Sequence, residues 1–337
     1  MTKIFPAHIR KEMCVDGNEK YVVQTVSEHC RNTAKYAAES LKLIGLEKTA
    51  FLAGLLHDFG KFTNAFKEYI EKAVIEEENV KRGSVNHTFA GVRYILSKHK
   101  DGDDVKNFTL ELISYAIGSH HGLFDCIDNK KQSALVYRMT KEGIDYDEAM
   151  ENYFQECTTE AEIENLICQS TEEVAAIINK TISIESSQDD AQEISFYYAL
   201  LCRLLTSAVI DGDRKDTIEF EQNKTISKDE ITWSNALDKF NSYISAFKNK
   251  YPVDSTRQAI SNACADAAKK PEGIYRLNVP TGGGKTLSSL RYALEHAQLY
   301  KKQRIFFIMP LLAIIEQNAK VVLCQDLVQV KERFFRE

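Results

Sequence analysis

Only one proline, Pro6, occurs among the first 247 residues of this chain; the other four all lie beyond them. Proline breaks the helical hydrogen-bond ladder and is kept out of helix interiors. A stretch that long without it is free to be helical almost throughout. The apolar spacing agrees. EHCRNTAKYAAESLKLIG, EKTAFLAGLLHDFGKFTNAFKEYIEKAV and EISFYYALLCRLLTSAVIDGD all repeat apolar residues at three and four positions. Strand signals are scarce there. The pattern predicts a mainly α domain over 1–247. Between about 125 and 190 the helices turn charged and less apolar, as in DYDEAMENYFQECTTEAEIENL. That stretch reads as a helical insert packed on the side of a core, closed by the polar SIESSQDDAQ.

After KNKYPVDSTRQ the pattern changes. A helix (RQAISNACADAAKK) leads to a strand-like run, IYRLNV, then a glycine-rich turn and a helix, KTLSSLRYALEHAQLY. A second strand-like run, RIFFIM, precedes Pro310 and a helix, LLAIIEQNAKVVL. Strand and helix alternating at this spacing predict a parallel α/β sheet, with the boundary near 248.

The glycine-rich turn, VPTGGGKT, covers 279–286. A P-loop asks for Gly, four residues, then Gly-Lys-Ser/Thr. Val279 stands where the first glycine belongs. Gly284, Lys285 and Thr286 fit, and Pro280, Thr281, Gly282 and Gly283 complete the loop. Glycines let backbone N–H groups turn toward a phosphate, and the following helix adds its positive end. Lys285 is expected on the β- and γ-phosphates of ATP and Thr286 on magnesium. The bland alternative is a glycine turn between strand and helix. An NTPase also needs an acidic residue after a later strand, and VVLCQD is a poor match for one. ATP binding is therefore expected of this chain and ATP turnover is not; it reads as part of a larger motor, ending within a first RecA-like domain.

The helical half carries His29, His57-Asp58, His87, His120-His121 and the pair Asp211 and Asp213. Imidazole with carboxylate suits manganese, iron, nickel or zinc better than calcium or magnesium. Each group alone has an ordinary explanation. His29 can be a core histidine, His87 a neighbour of a helix start, and His120-His121 a complement to a helix C-terminus. Asp211 and Asp213 can form a turn. Their joint occurrence in one domain points to a two-ion centre of the kind that clamps a phosphodiester.

That order is similar to the HD phosphohydrolase superfamily, named for its His-Asp dipeptide. HDFGK, NHTFAG, SHHG and DGDRKDT, followed by VPTGGGKT and FIMPLLAIIEQNA, together resemble the HD nuclease–helicase of type I CRISPR interference. TRQAIS and IIEQNA look closest to its type I-C branch. The resemblance spans most of the chain outside 125–190. It implies an HD helical core joined to the start of a RecA-like superfamily 2 helicase domain. It implies two divalent transition-metal ions (manganese, iron, nickel or cobalt). His29, His57, Asp58 and a late aspartate would hold one, and Asp58, His87, His120 and His121 the other, with Asp58 bridging. Lys61 would steady the scissile phosphate. The late aspartate is Asp213 or Asp211; a helix sets these about 200° apart, so one of them faces the ions, and Asp213, which follows the small residue, is favoured. The activity implied is metal-dependent endo- and exonucleolytic cleavage of single-stranded DNA in antiviral defence. The partner implied is a multisubunit surveillance complex carrying guide RNA. The rivals are an HD nucleotide phosphohydrolase (a dNTPase or cyclic-nucleotide phosphodiesterase) and an inactive partner-binding protein.

The net charge of -6 does not mark a nucleic-acid binder, but a nuclease can meet phosphates through metals. Eight scattered cysteines, none at Cys-x-x-Cys spacing, read as reduced thiols of a cytoplasmic protein. No apolar run long enough to span a membrane is present.

Overall fold

The computed structural model describes residues 4–14, 17–77, 80, 81, 85, 87–124, 133–139, 145–184, 191–225, 232–247 and 251–308. The chain divides into two compact units, 1–226 and 227–337.

The first unit opens with an antiparallel hairpin. Strand β1 (Pro6–Met13) pairs with β2 (Glu19–Thr25), setting Ile9 opposite Val23 and Lys11 opposite Tyr21. The helical periodicity of the domain hid it. The available signal is the Asp-Gly dipeptide at 16–17 between two alternating runs; Gly17 takes a left-handed φ of 82°.

Thr25 then caps α1 (Val26–Leu41) in a capping box. Its hydroxyl accepts from Glu28 N–H, and the Glu28 carboxylate accepts from Thr25 N–H. The buried face of α1 runs Val26, His29, Cys30, Thr33, Ala34, Ala37, Ala38, Leu41. His29 therefore sits on the apolar stripe, where a polar ring needs partners.

Helix α2 (Glu47–Leu56) is buried nearly all round, as a central helix must be. It packs on α1, α5 (Asp104–Ser119), α8 (Glu160–Ile184) and α9 (Ala191–Gln222). The long helix expected over 47–74 is broken. α2 stops at Leu56, a 3-10 turn covers Phe59–Lys61, and α3 (Asn64–Val74) restarts after Thr63, whose hydroxyl accepts from Phe66 N–H. Helix α4 (Ala90–His99) follows.

The segment read as a lateral insert is part of the core. Beyond α6 (Ala134–Met139), α7 (Tyr146–Glu156) buries Tyr153, which stacks on Phe59 at 4.2 Å and donates to the Leu55 carbonyl at 3.2 Å. Asn152 donates to the Phe62 carbonyl. Glu173 of α8 caps α2 by accepting from Lys48 and Thr49 N–H at 2.8 and 2.9 Å. Charged residues such as Glu151, Glu160 and Glu164 are exposed, while apolar ones such as Ile163 and Val174 are fully buried.

The second unit holds α10 (Trp233–Ser245), α11 (Pro252–Ala268) and α12 (Lys285–Leu299). Ala236 and Phe240 of α10 bury against Leu290 and Leu294 of α12. The sequence change at 248 thus falls inside this unit. The two strand-like runs carry no sheet pairing over 274–279 and 304–308. Ile274 and Ile308 are 104% and 94% exposed. A parallel strand has no ladder until its crossover neighbour lies beside it. The second helix expected there lies outside the described residues. The glycine turn leading into α12 is consistent with a RecA-like start. Among the described residues, no helix is long and apolar enough to cross a membrane.

Candidate metal centre

His57 closes α2 and Asp58 follows in an irregular conformation, so the pair stands where the helical ladder ends. Both are buried, at 0% and 1% exposure. The 3-10 turn after them eclipses residues three apart. It brings Lys61 Nζ to 2.6 Å from Asp58 Oδ2. Lys61 is thus engaged with the carboxylate, and its ammonium also lies over the Phe66 ring. Gly60 lets this turn meet the segment bearing His87. A Cβ there would fall 2.2 Å from the His87 carbonyl oxygen.

Seven ligand-type side chains converge here in two groups. One is His29, His57 and Asp213; the other is Asp58, His87, His120 and His121. The Asp58 carboxylate faces both. Its Oδ2 lies 3.3 Å from His29 Nε2 and 3.2 Å from His57 Nε2. Its Oδ1 lies 3.9 Å from His87 Nε2 and 3.7 Å from His120 Nε2. Asp213 Oδ1 is 3.2 Å from His29 Nε2. His87 and His121 approach each other at 2.8 Å, Nε2 to Nε2. Asp211 joins neither group.

Asp211 and Asp213 do not form a turn. All of DGDRKDT lies within α9, which runs on to Gln222. Asp216, three residues past Asp213 and so on the same face, accepts from His29 Nδ1–H at 2.6 Å. The sequence reading missed this residue. The spacing of three from Asp213 to Asp216 becomes a signal once the helix is carried past Asp213.

The ring tautomers follow from the partners. His57 Nδ1 lies 2.7 Å from the Gly54 carbonyl, His120 Nδ1 2.6 Å from Ile117 and His87 Nδ1 3.2 Å from Val85. A carbonyl only accepts, so each Nδ1 carries the proton. Each ring then turns its Nε2 inward. Asp58 Oδ1, Asp58 Oδ2 and His120 Nε2 are buried without a hydrogen bond of good geometry. Lone pairs and carboxylate oxygens meeting in a buried centre repel unless a cation lies among them; the Lys61 ammonium meets Asp58 Oδ2, while Asp58 Oδ1 and His120 Nε2 face each other at 3.7 Å.

Electrostatics agree. Burial disfavours charge on His29, but Asp213, Asp216 and Asp58 outweigh it and raise its pKa to about 10. Burial lowers His87 and His120 to about 4, keeping both rings neutral near pH 7. Burial opposes ionisation of Asp58, yet His57, Lys61 and His29 hold its carboxyl well below the usual range. Asp213 is held low likewise by His29 and His57.

The residues fit a metal. Bonds of about 2.1 Å place adjacent ligand atoms about 3.0–3.4 Å apart around an octahedral or tetrahedral ion. The contacts among His29, His57, Asp58 Oδ2 and Asp213 fall at 3.2–3.3 Å, with His57 to Asp213 at 4.0 Å. The nitrogen and oxygen set suits a divalent transition ion.

In the second unit, Gly284 caps α12 with a left-handed φ of 80°, a conformation that glycine adopts without strain. Pro280, Thr281, Gly282 and Gly283 precede it, and Gly283 N–H donates to the Pro280 carbonyl. Lys285 and Thr286 form the first turn of α12. Arg257 of α11 donates to the Gly282 carbonyl at 2.9 Å and pairs with Asp254.

Residues 26–144 match the family model described as HD domain. Residues 249–332 match the model described as Type III restriction enzyme, res subunit. No curated protein matches the chain. The first match contains six of the seven converging residues; Asp213 lies beyond it on α9.

Proposed function

We propose that this HD domain, followed by a superfamily 2 helicase-type region, is a metal-dependent phosphodiesterase that cuts single-stranded DNA. The observation that carries the reading is the inward convergence of histidine Nε2 atoms on Asp58, with Nδ1 of His29, His57, His87 and His120 each held by an acceptor. His29, His57 and Asp213 would hold one divalent ion and His87, His120 and His121 the other, with Asp58 bridging. Bound, the ions supply Lewis acidity and charge neutralisation for water attack on phosphorus. The protein's part is to fix the ligand rings, keep the floor of the centre dry and admit the phosphodiester from the side of His121, the exposed ligand. Lys61 holds the charge of Asp58 within the centre.

The helicase-type region supports nucleic acid over a free nucleotide as substrate, because a nucleotide hydrolase has no need of one. The residues Pro280 to Thr286 would bind ATP with magnesium. The order of the HD residues before a helicase-type P-loop further supports the role the sequence resembles: cleavage of the displaced strand of a target held by a guide-RNA surveillance complex, in antiviral defence.

The deciding experiment incubates the chain with circular single-stranded DNA and manganese, beside a mixture of dNTPs. Cleavage of the circle that is lost with chelator and in Asp58→Ala supports the reading. Phosphate release from dNTPs with intact circles overturns it.

A further inference from the structure

We propose that Asp216 is a positioning residue that makes the His29 side of the centre the tighter of two ion sites, so that the ions load in a set order. The inference rests on the metal-centre reading above and goes beyond it in assigning unequal affinities and their cause.

Asp216 is 3% exposed and carries a carboxylate with three donors around it. Oδ2 accepts from His29 Nδ1–H at 2.6 Å and from Gln24 Nε2–H at 2.9 Å. Oδ1 accepts from Asn32 Nδ2–H at 2.9 Å. These donors come from β2 and from two successive turns of α1, so the carboxylate is fixed in both rotation and tilt. The next residue, Thr217, lies 3.3 Å from His8 Nε2, and the His8 ring packs edge-on against that of His29 at 4.8 Å. The His29 ring is thus held at Nδ1 by Asp216 and along one side by His8.

His57, His87 and His120 lack a carboxylate at this position. Nδ1 of His57, His87 and His120 each meets a backbone carbonyl. A carbonyl orients the ring but adds no charge. A carboxylate both orients it and makes Nε2 a stronger donor to a metal, which is worth about 10–100-fold in affinity. The second group also depends on His121, which is exposed, and on His87, which is half-buried outside any helix. Ordering those rings costs conformational entropy at the moment of binding. Basicity and preorganisation therefore both favour the site built on His29, His57 and Asp213.

The test titrates cobalt(II) into the full chain after chelator treatment, followed by visible absorption and calorimetry. The wild-type chain takes two equivalents, the first at least about tenfold tighter. In Asp216→Ala the first weakens about 10–100-fold and the second stays within about threefold. Asp216→Glu restores part of the loss. Asp216→Asn keeps the side-chain size but turns an amide N–H2 toward one of the three donors; it weakens the first equivalent less than alanine does. His121→Ala weakens the second equivalent alone. Far-UV circular dichroism and melting of the metal-free variants separate loss of binding from loss of fold, and Asp216→Asn carries the test if Asp216→Ala does not fold. Wild-type affinity for the first equivalent in Asp216→Asn and Asp216→Ala overturns the inference, as do two indistinguishable equivalents in the wild type. A wild-type chain that takes up no cobalt overturns the metal-centre reading and this inference with it.

Discussion

The two units keep their chemistry in opposite forms. In the second, the candidate phosphate cradle is one contiguous run, Pro280 to Thr286, made of a glycine turn and a helix start. In the first, the candidate ligands come from α1, the end of α2, the segment before α4, the end of α5 and the middle of α9. Only packing brings them together. A backbone cradle needs glycines in order and little else. A side-chain centre needs a core that holds distant helices in phase. The candidate cradle is thus built from one stretch of backbone, whereas the candidate centre also draws on residues outside the ligand set, such as Asp216 behind His29.

Substitutions test that contrast. Asp58→Asn, which keeps the volume but removes the shared charge, should lower metal-dependent cleavage by at least about 10³-fold, the scale on which losing a reacting-centre group costs other hydrolases; metal analysis should show both equivalents weakened. Phe59→Ala should destabilise the first unit by about 3–5 kcal/mol in denaturant melts, the cost of emptying a fully buried aromatic site. Phe59 stacks on Tyr153 and follows Asp58 in sequence, so cobalt uptake should fall with the fold. Unchanged uptake would show that the centre does not depend on this core. Lys285→Ala should weaken binding of a fluorescent ATP analogue by about tenfold or more, the worth of one charge-assisted hydrogen bond. It should leave cobalt uptake unaltered, since the cradle lies in the other unit.

The smallest effect is on pH. Burial lowers His87 and His120 to about 4 in the folded chain, below the ordinary 6.5. The unfolded chain then binds more protons between those values, so the stability these rings contribute is complete above pH 6.5 and lost as pH falls toward 4. His29, raised to about 10 by its carboxylates against the burial penalty, contributes stability that is complete below 6.5 and lost as pH rises toward 10. Metal-free protein should melt highest near neutral pH and lower on both sides, by a few degrees. A melting temperature that rises steadily from pH 6.5 to 10 would contradict the pairing of His29 with Asp213 and Asp216.

Much of the fold was legible because helical phase is local. The stripe of α1, with His29 on it, can be counted off directly, and Thr25 with Glu28 announces where that helix starts. The hairpin was missed, since helical spacing dominated and one Asp-Gly pair was the only turn signal. The 125–190 stretch was misplaced because charge on an outer face says nothing of what the inner face touches; Tyr153 and Glu173 hold α2 from there.

Residue types and helical phase suffice for the kinds of group available, the helical character of the first domain, the glycine turn and the fact that at most one of Asp211 and Asp213 can face a given point. Packing between distant helices is what sets Asp213 beside His29, stands Asp216 behind it and turns four rings Nε2 inward. The reason is one of range. Periodicity and caps are set by neighbours within about four residues, while a ligand atom's position to a fraction of an ångström is set by contacts such as His29 with Asp216, 187 residues apart.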